Sequence, residues 1–234
     1  MFPVAILAGG LATRLHPITE TIPKALVEVA GKPFIIWQLS YLKKQGVTHV
    51  VICVGFLGEM IRDVVGNGRK FGLRVNYSED GPNQLGTGGA LVKATALLED
   101  NFFVLYGDSF LPVNFSFVQE AYCKSKQAAL MTILKNKNQW DLSNVLYQDG
   151  HIIKYSKHKP TKEMAHIDYG LGVLSTSVLE NYFSEQSFDL ADIYQDLCKK
   201  NKLASFVVHN RFYEIGSHAG LKETEQYLSM REKK

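Results

Sequence analysis

Short strand-like runs alternate with helical patterns, and this constrains the chain more than any other feature of its sequence. Val4–Leu7 is apolar at every position, and "VVICVG" from Val50, "LRVNY" from Leu73 and "FFVLYGD" from Phe102 are rich in apolar, β-branched or aromatic residues. Continuous apolar runs suit strands buried on both faces. Between these runs, Phe34–Gln45, Leu57–Val65 and Ala90–Leu98 carry helical spacing. Strand and helix in turn predict βαβ units: an α/β, Rossmann-like fold with a mostly parallel sheet flanked by helices. Ligand chemistry in such a sheet belongs at the carboxyl ends of the strands.

The second half reads differently. In "NVLYQDGHIIKY" two alternating runs flank Asp149-Gly150, a strong hairpin signal, so a small antiparallel portion is expected there. After "YGLGVLS" the pattern predicts a helix from Leu190 to Lys200, strands at "ASFVV" and "FYEIG", and a closing helix from about Gly220. No Pro-rich linker, repeat or low-complexity segment divides residues 1–234, which are expected to form a single domain.

Composition removes several function classes. The net charge is only +3 and the basic residues are scattered, so no stripe for nucleic acid is present. Cys53, Cys123 and Cys198 lie far apart without CxxC spacing, which argues against a zinc site or disulfide framework and fits a reducing compartment. The N-terminus lacks a basic leader, and no apolar run approaches the roughly 18 residues a membrane span needs. A cytoplasmic protein is therefore expected. A monomer and a homodimer are both compatible with the sequence.

The loops after the strands carry the chemistry. "LAGGLATRL" follows the first strand, and its Gly9-Gly10 pair lets backbone N–H groups approach a ligand. Arg14 and Lys24 bring positive charge to the same excursion, which suits phosphate. The spacing is neither that of a P-loop nor GxGxxG, and "GNGRKFG", which follows a helix, reads as a polar turn. Asp108 ends the strand "FFVLY" after a glycine, where a carboxylate can hold Mg²⁺ or cap the next element. Glu214, in "YEIGS", has a similar strand-end position, whereas Lys157 in "YSKHKP" reads by itself as a solvated lysine. No Ser-His-Asp or Cys-His nucleophile can be assembled from the pattern.

Taken in order, "LAGGLATRLHPIT", "PKALVEVAGKP", "LGTGGAL", "YGDS" and "YEIGS" resemble the sugar-1-phosphate nucleotidyltransferases from Val4 to the closing helix. The resemblance is to the short bacterial members, such as heptose 1-phosphate guanylyltransferases and the N-acetylmuramate 1-phosphate uridylyltransferase, because the chain ends before the β-helix many relatives carry. It implies a nucleotidyltransferase (GT-A-like) fold and an enzyme joining an NTP to a sugar 1-phosphate, with pyrophosphate leaving and Mg²⁺ as cofactor. Leu7, Ala8, Gly9 and Gly10 then fall to the nucleotide, Arg14 and Lys24 to the triphosphate, and Asp108 and Glu214 to the metal. Glu79 and Gly86 fall near the base, and Lys157, Asn144, Tyr169 and Gly170 near the sugar phosphate.

Three residues depart from the family pattern. Ala12 replaces a glycine, tolerable unless the backbone needs a positive φ; Asn144 replaces a glycine near the sugar; Glu214 replaces an aspartate. GTP is the favoured donor, since one carboxylate, taken as Glu79, can accept from both N1–H and the exocyclic amine of guanine. Uridylyl transfer to N-acetylmuramate 1-phosphate or another hexose 1-phosphate, cytidylyl transfer to an alcohol phosphate, and a non-catalytic nucleotide-sugar regulator are the alternatives.

Overall fold

The computed structural model describes residues 1–183 and 187–232. Nine strands form the main sheet: β1 Val4–Leu7, β2 His49–Val54, β3 Arg74–Glu79, β4 Asn101–Tyr106, β5 Ala129–Lys135, β6 Val145–Gln148, β7 His151–Tyr155, β8 His166–Ser175 and β9 Leu203–Val208. The body of the sheet runs β3-β2-β1-β4-β8-β5-β9, with β8 antiparallel to both β4 and β5 and every other neighbour parallel. Strand order reverses at β1, which has β2 on one side and β4 on the other. The loops leaving β1 and β4 therefore diverge and leave a crevice at the switch point.

Helices cover both faces. Along β1, Val4 and Ile6 face a core shared with α1 (Phe34–Lys44), α2 (Gly58–Val65) and α4 (Phe115–Ser125). Ala5 and Leu7 face the opposite core, closed by α3 (Gly86–Ala94), α5 (Thr176–Leu179) and α6 (Leu190–Lys199). The alternation is the two-residue side-chain period of a strand buried on both sides. A third cluster seats α7 (His218–Glu232) through Leu228 against Phe110, Val27 and Ile215.

The predicted hairpin is present: Asp149 and Gly150 both take positive φ, 48° and 84°, and His151 pairs with Gln148. "GNGRKFG" is a turn, a single 3₁₀ segment at Arg69–Phe71 between Gly68 and Gly72. The third helix departs from its expected start. It begins at Gly86 rather than Ala90, inside the glycine-rich motif, and only a short 3₁₀ turn continues it to Leu97. Helix α4 and strand β5 were not singled out by the sequence pattern. Among the described residues, no helix is long and apolar enough to cross a membrane.

Candidate active site at the sheet switch point

A cleft of about 260 Å³ opens over the carboxyl ends of β1 and β4. Leu7, Ala8, Gly9 and Gly10 line it from the first loop, Lys24 from the next turn, Gly86 and Thr87 from the start of α3, and Asp108 from the loop after β4. Seven predicted residues other than Arg14 and Glu214 thus share one cavity with Thr87, although they come from four segments of the chain.

Charged groups gather around Asp108. Lys24 Nζ lies 2.9 Å from Asp108 Oδ2, and Ser109 Oγ donates to Asp108 Oδ1 at 3.1 Å. A two-residue ribbon pairs Glu214 with Ser109, and the Ile215 N–H donates to the Asp108 carbonyl at 2.9 Å, so the two acidic residues are neighbours across it. Gly216 gives the spacing. A Cβ there would lie 2.6 Å from Glu214 Oε2, 3.2 Å from an Arg14 guanidinium nitrogen and 3.4 Å from Asp108 Oδ2. Two carboxylates and one guanidinium therefore surround a space that only glycine leaves open. Glu214 is anchored by the Gly216 N–H and by Ser217 Oγ at 2.8 Å.

No group of three or more His, Cys, Asp or Glu side chains suited to a metal occurs among the described residues. A pair of carboxylates nonetheless fits Mg²⁺, a hard ion that commonly takes one or two protein carboxylates and completes its shell with phosphate and water.

Beside Gly9 the acidic residue lining the cleft is Asp80 rather than Glu79. Glu79 is exposed, ion-pairs with Arg62 and lines a separate groove beside α2. Asp80 is buried, accepts the Leu85 N–H at 3.3 Å, and presents Oδ2 3.3 Å from where a Cβ on Gly9 would stand. Burial pushes its carboxyl up, opposed by that N–H and by Lys93. Of the two residues, Asp80 lines the cleft and Glu79, the expected one, does not, because successive strand-end side chains point to opposite faces.

The same parity corrects the sugar-side residues. Tyr169 is 2% exposed and lies in the core, its ring against Phe212, so it is not a cleft residue. Gly170 faces Tyr106 and Ser109, and beside it Asp168 accepts the Gly170 N–H at 3.0 Å. Burial raises the Asp168 carboxyl to about 6, against the pull of the Gly170 N–H and Lys157. Asn144 serves the framework: its Oδ1 accepts the Asp168 N–H at 2.9 Å, and its backbone links β8 to the end of β7. Lys157 ion-pairs with Asp189, the N-cap of α6. Asp80, Asp168 and Asp189 were missed by sequence reasoning; only their places next to singled-out residues could have pointed to them.

Arg14 sits on a 3₁₀ turn entered through Ala12, whose φ is 53°. The alanine is therefore in the left-handed region, which glycine would reach without strain.

The nucleotidyl transferase family model matches residues 4–230. A D-glycero-α-D-manno-heptose 1-phosphate guanylyltransferase from Campylobacter jejuni is 28% identical over 90% of this chain and 93% of its own length. An N-acetylmuramate α-1-phosphate uridylyltransferase from Neisseria meningitidis is 40% identical, over 47% of this chain and 48% of its own. Among solved structures, HddC from Yersinia pseudotuberculosis complexed with GMP-PN superposes with a TM-score of 0.80 at 25% identity, covering 97% of this chain and 100% of that one. With the strand-end glycines, lysine and paired carboxylates in place, these likenesses put the chain in the nucleotidyl transferase family, among the sugar-1-phosphate nucleotidyltransferases.

Proposed function

We propose that the chain transfers a nucleoside monophosphate from GTP to a sugar 1-phosphate, releasing pyrophosphate and an NDP-sugar. An oxygen of the sugar phosphate attacks the α-phosphorus, a new P–O bond forms, and the bond to the β-phosphate breaks with its electron pair on the departing pyrophosphate. The nucleophile is already ionised, so no side chain has to deprotonate it. Repulsion is the obstacle: each unit pair of like charges at 4 Å costs about 4 kcal/mol at an effective dielectric near 20. Opposing charge is what the protein must supply.

The observation that carries this reading is the meeting of Arg14, Asp108 and Glu214 beside Gly216, with Lys24 on the Asp108 carboxylate. Lys24 and Arg14 hold the β- and γ-phosphates and stabilise the charge that leaves with them. Asp108 and Glu214 are the residues that would hold Mg²⁺, which when bound supplies positive charge to the phosphates being joined. Gly9 and Gly10 admit the nucleotide, and Lys157 orients the acceptor phosphate, so that the reaction gains from proximity.

GTP is preferred because Asp80 brings a buried carboxylate to the lining of the cleft, beside Gly9. A carboxylate accepts from both N1–H and the exocyclic amine of guanine, whereas uracil offers it one N–H. The guanylyltransferase likeness over most of the chain supports the same choice. Uridylyl transfer is the second reading, favoured by the higher identity to the uridylyltransferase over about half the chain. Pyrophosphate release measured over a matrix of NTPs and sugar 1-phosphates tests both. Turnover at least tenfold better with UTP or dTTP than with GTP overturns the guanylyl assignment, and no release with any pair overturns the reaction.

A further inference from the structure

Asp189 does more than a helix cap requires. Its Oδ1 accepts the Ala191 N–H at 3.0 Å, and its own N–H donates to Asp192 at 3.3 Å, completing a capping box at the start of α6. Serine, threonine or asparagine caps a helix as well as aspartate does. The charge and the second oxygen are left for other partners. Oδ1 also takes Thr87 Oγ1 at 2.9 Å, and Oδ2 takes the Lys157 ammonium. Burial pushes the Asp189 carboxyl up, but the Ala191 N–H, Lys157 and Thr87 together outweigh it and hold the group below its ordinary value.

Thr87 belongs to the first turn of α3, which lines the nucleotide cleft. That turn and the segment 188–190 are tied along their length. Phe188 N donates to Leu85 O at 3.1 Å and Gly88 N to Phe188 O at 2.9 Å. Leu190 N donates to Thr87 Oγ1 at 2.8 Å. Gly86, at φ 68°, admits this contact because a Cβ there would overlap the Phe188 carbonyl oxygen. A displacement of the turn is therefore carried to Asp189, and through Asp189 to Lys157, 32 residues away in sequence.

We infer that Asp189 is a positioning residue that joins the acceptor lysine to the nucleotide-binding turn, so that occupation of the turn by an NTP sets Lys157 for the sugar phosphate. The inference rests on the reaction proposed above. A second carboxylate, Asp168, is near enough for the Lys157 charge to lower its pKa. Without Asp189 the ammonium is free to turn toward that group or to water, and the acceptor phosphate meets a lysine in no fixed place. The nucleotide pocket itself is untouched, because Asp189 does not line it. Donor and acceptor binding are then coupled through one side chain, and coupling of this kind works in both directions.

Asp189→Asn tests this, since asparagine keeps the cap and the acceptor for Thr87 while removing the negative charge that pairs with Lys157. The expected result is a melting temperature within about 4 °C of the parent's, as for the loss of one partly exposed ion pair, KM for the sugar 1-phosphate raised about tenfold as for one lost charged hydrogen bond, and a Kd for the NTP, measured without acceptor, within about twofold, the turn being intact. Lys157→Ala should give the same loss, and the double variant no more than either single one. A readout independent of turnover is the NMR signal of ¹³C-methylated Lys157, assigned with Lys157→Arg. Added GTP or UTP with Mg²⁺ should shift it in the parent but not in Asp189→Asn or Thr87→Val. Parental KM values in Asp189→Asn, losses that multiply in the double variant, or a Lys157 signal blind to NTP in the parent would each overturn the inference. If no substrate pair releases pyrophosphate while the Lys157 signal still responds to NTP through Asp189, the proposed reaction falls and the link between the two sites stands.

Discussion

Replacing Asp168 by asparagine should make the protein more stable at neutral pH. The carboxyl is raised from 3.8 to about 6, chiefly by burial. About two units at roughly 1.4 kcal/mol each set a ceiling near 3 kcal/mol. Asp168 is only partly shielded from water, so screening brings the expected gain down to about 1–2 kcal/mol. The sign follows from proton binding. The folded state holds this proton up to about pH 6 and the unfolded chain only to about 3.8, so the parent loses stability as pH rises between those values. Above that window the cost is constant. An asparagine side chain cannot bear the charge, yet its Oδ1 can still accept the Gly170 N–H. Urea denaturation of both proteins at pH 4, 5, 6 and 7 gives the difference in unfolding free energy. It should be near zero at the acid end and reach its full value by pH 7. A variant no more stable than the parent at pH 7, or a difference that does not change with pH, would refute the reasoning.

Glu214→Gln and Asp108→Asn should each lower kcat by about 10²-fold, as for losing one preorganised transition-state contact. The double variant should be little worse, because groups acting as a unit are not additive; a parental kcat with unchanged Mg²⁺ dependence in Glu214→Gln would remove it from the metal site. Ala12→Gly should stabilise the fold: relief of a left-handed alanine gives about 1–2 kcal/mol, of which glycine's extra chain entropy takes back roughly 0.5–1. A calorimetric melting temperature higher by about 1–4 °C is the expected outcome for a chain of this size, and a fall would show that the turn is not strained at Ala12. Asp80→Asn should reduce the preference for GTP over UTP in kcat/KM by about tenfold, consistent with one lost charged hydrogen bond, while the change of Glu79 to glutamine, on a side chain that faces Arg62, should leave the preference as it is.

Much of this architecture is local and therefore readable. Residue-by-residue apolar runs at Val4–Leu7 and at Val50–Val54 suit only strands covered on both faces, and alternation with helical spacing makes those strands parallel. Lys24, Asp108 and the Gly9-Gly10 pair were legible for the same reason: each immediately follows a strand or its loop, and strand ends in such sheets converge on the crevice. Asp149-Gly150 named its own turn, since positive φ at two successive positions is a property of those residues themselves.

What the sequence could not decide was which side of the chain faces the cleft and what lies opposite. Glu79 and Asp80 differ by one residue and Tyr169 stands between Asp168 and Gly170. That Asp80 and not Glu79 lines the cleft, and that Tyr169 is buried in the core, depends on register against β2 and on the irregular pairing of β8 with β5, and a one-residue change of parity sends a side chain to the other face. Likewise Glu214 became a neighbour of Asp108 only through a two-residue ribbon, and Lys157 met Asp189 only because α6 begins beside the first turn of α3. The sequence by itself determined the periodicities and the residues able to hold phosphate. The tertiary structure decided which carboxylates join them, because those contacts are made by segments whose meeting no local pattern records.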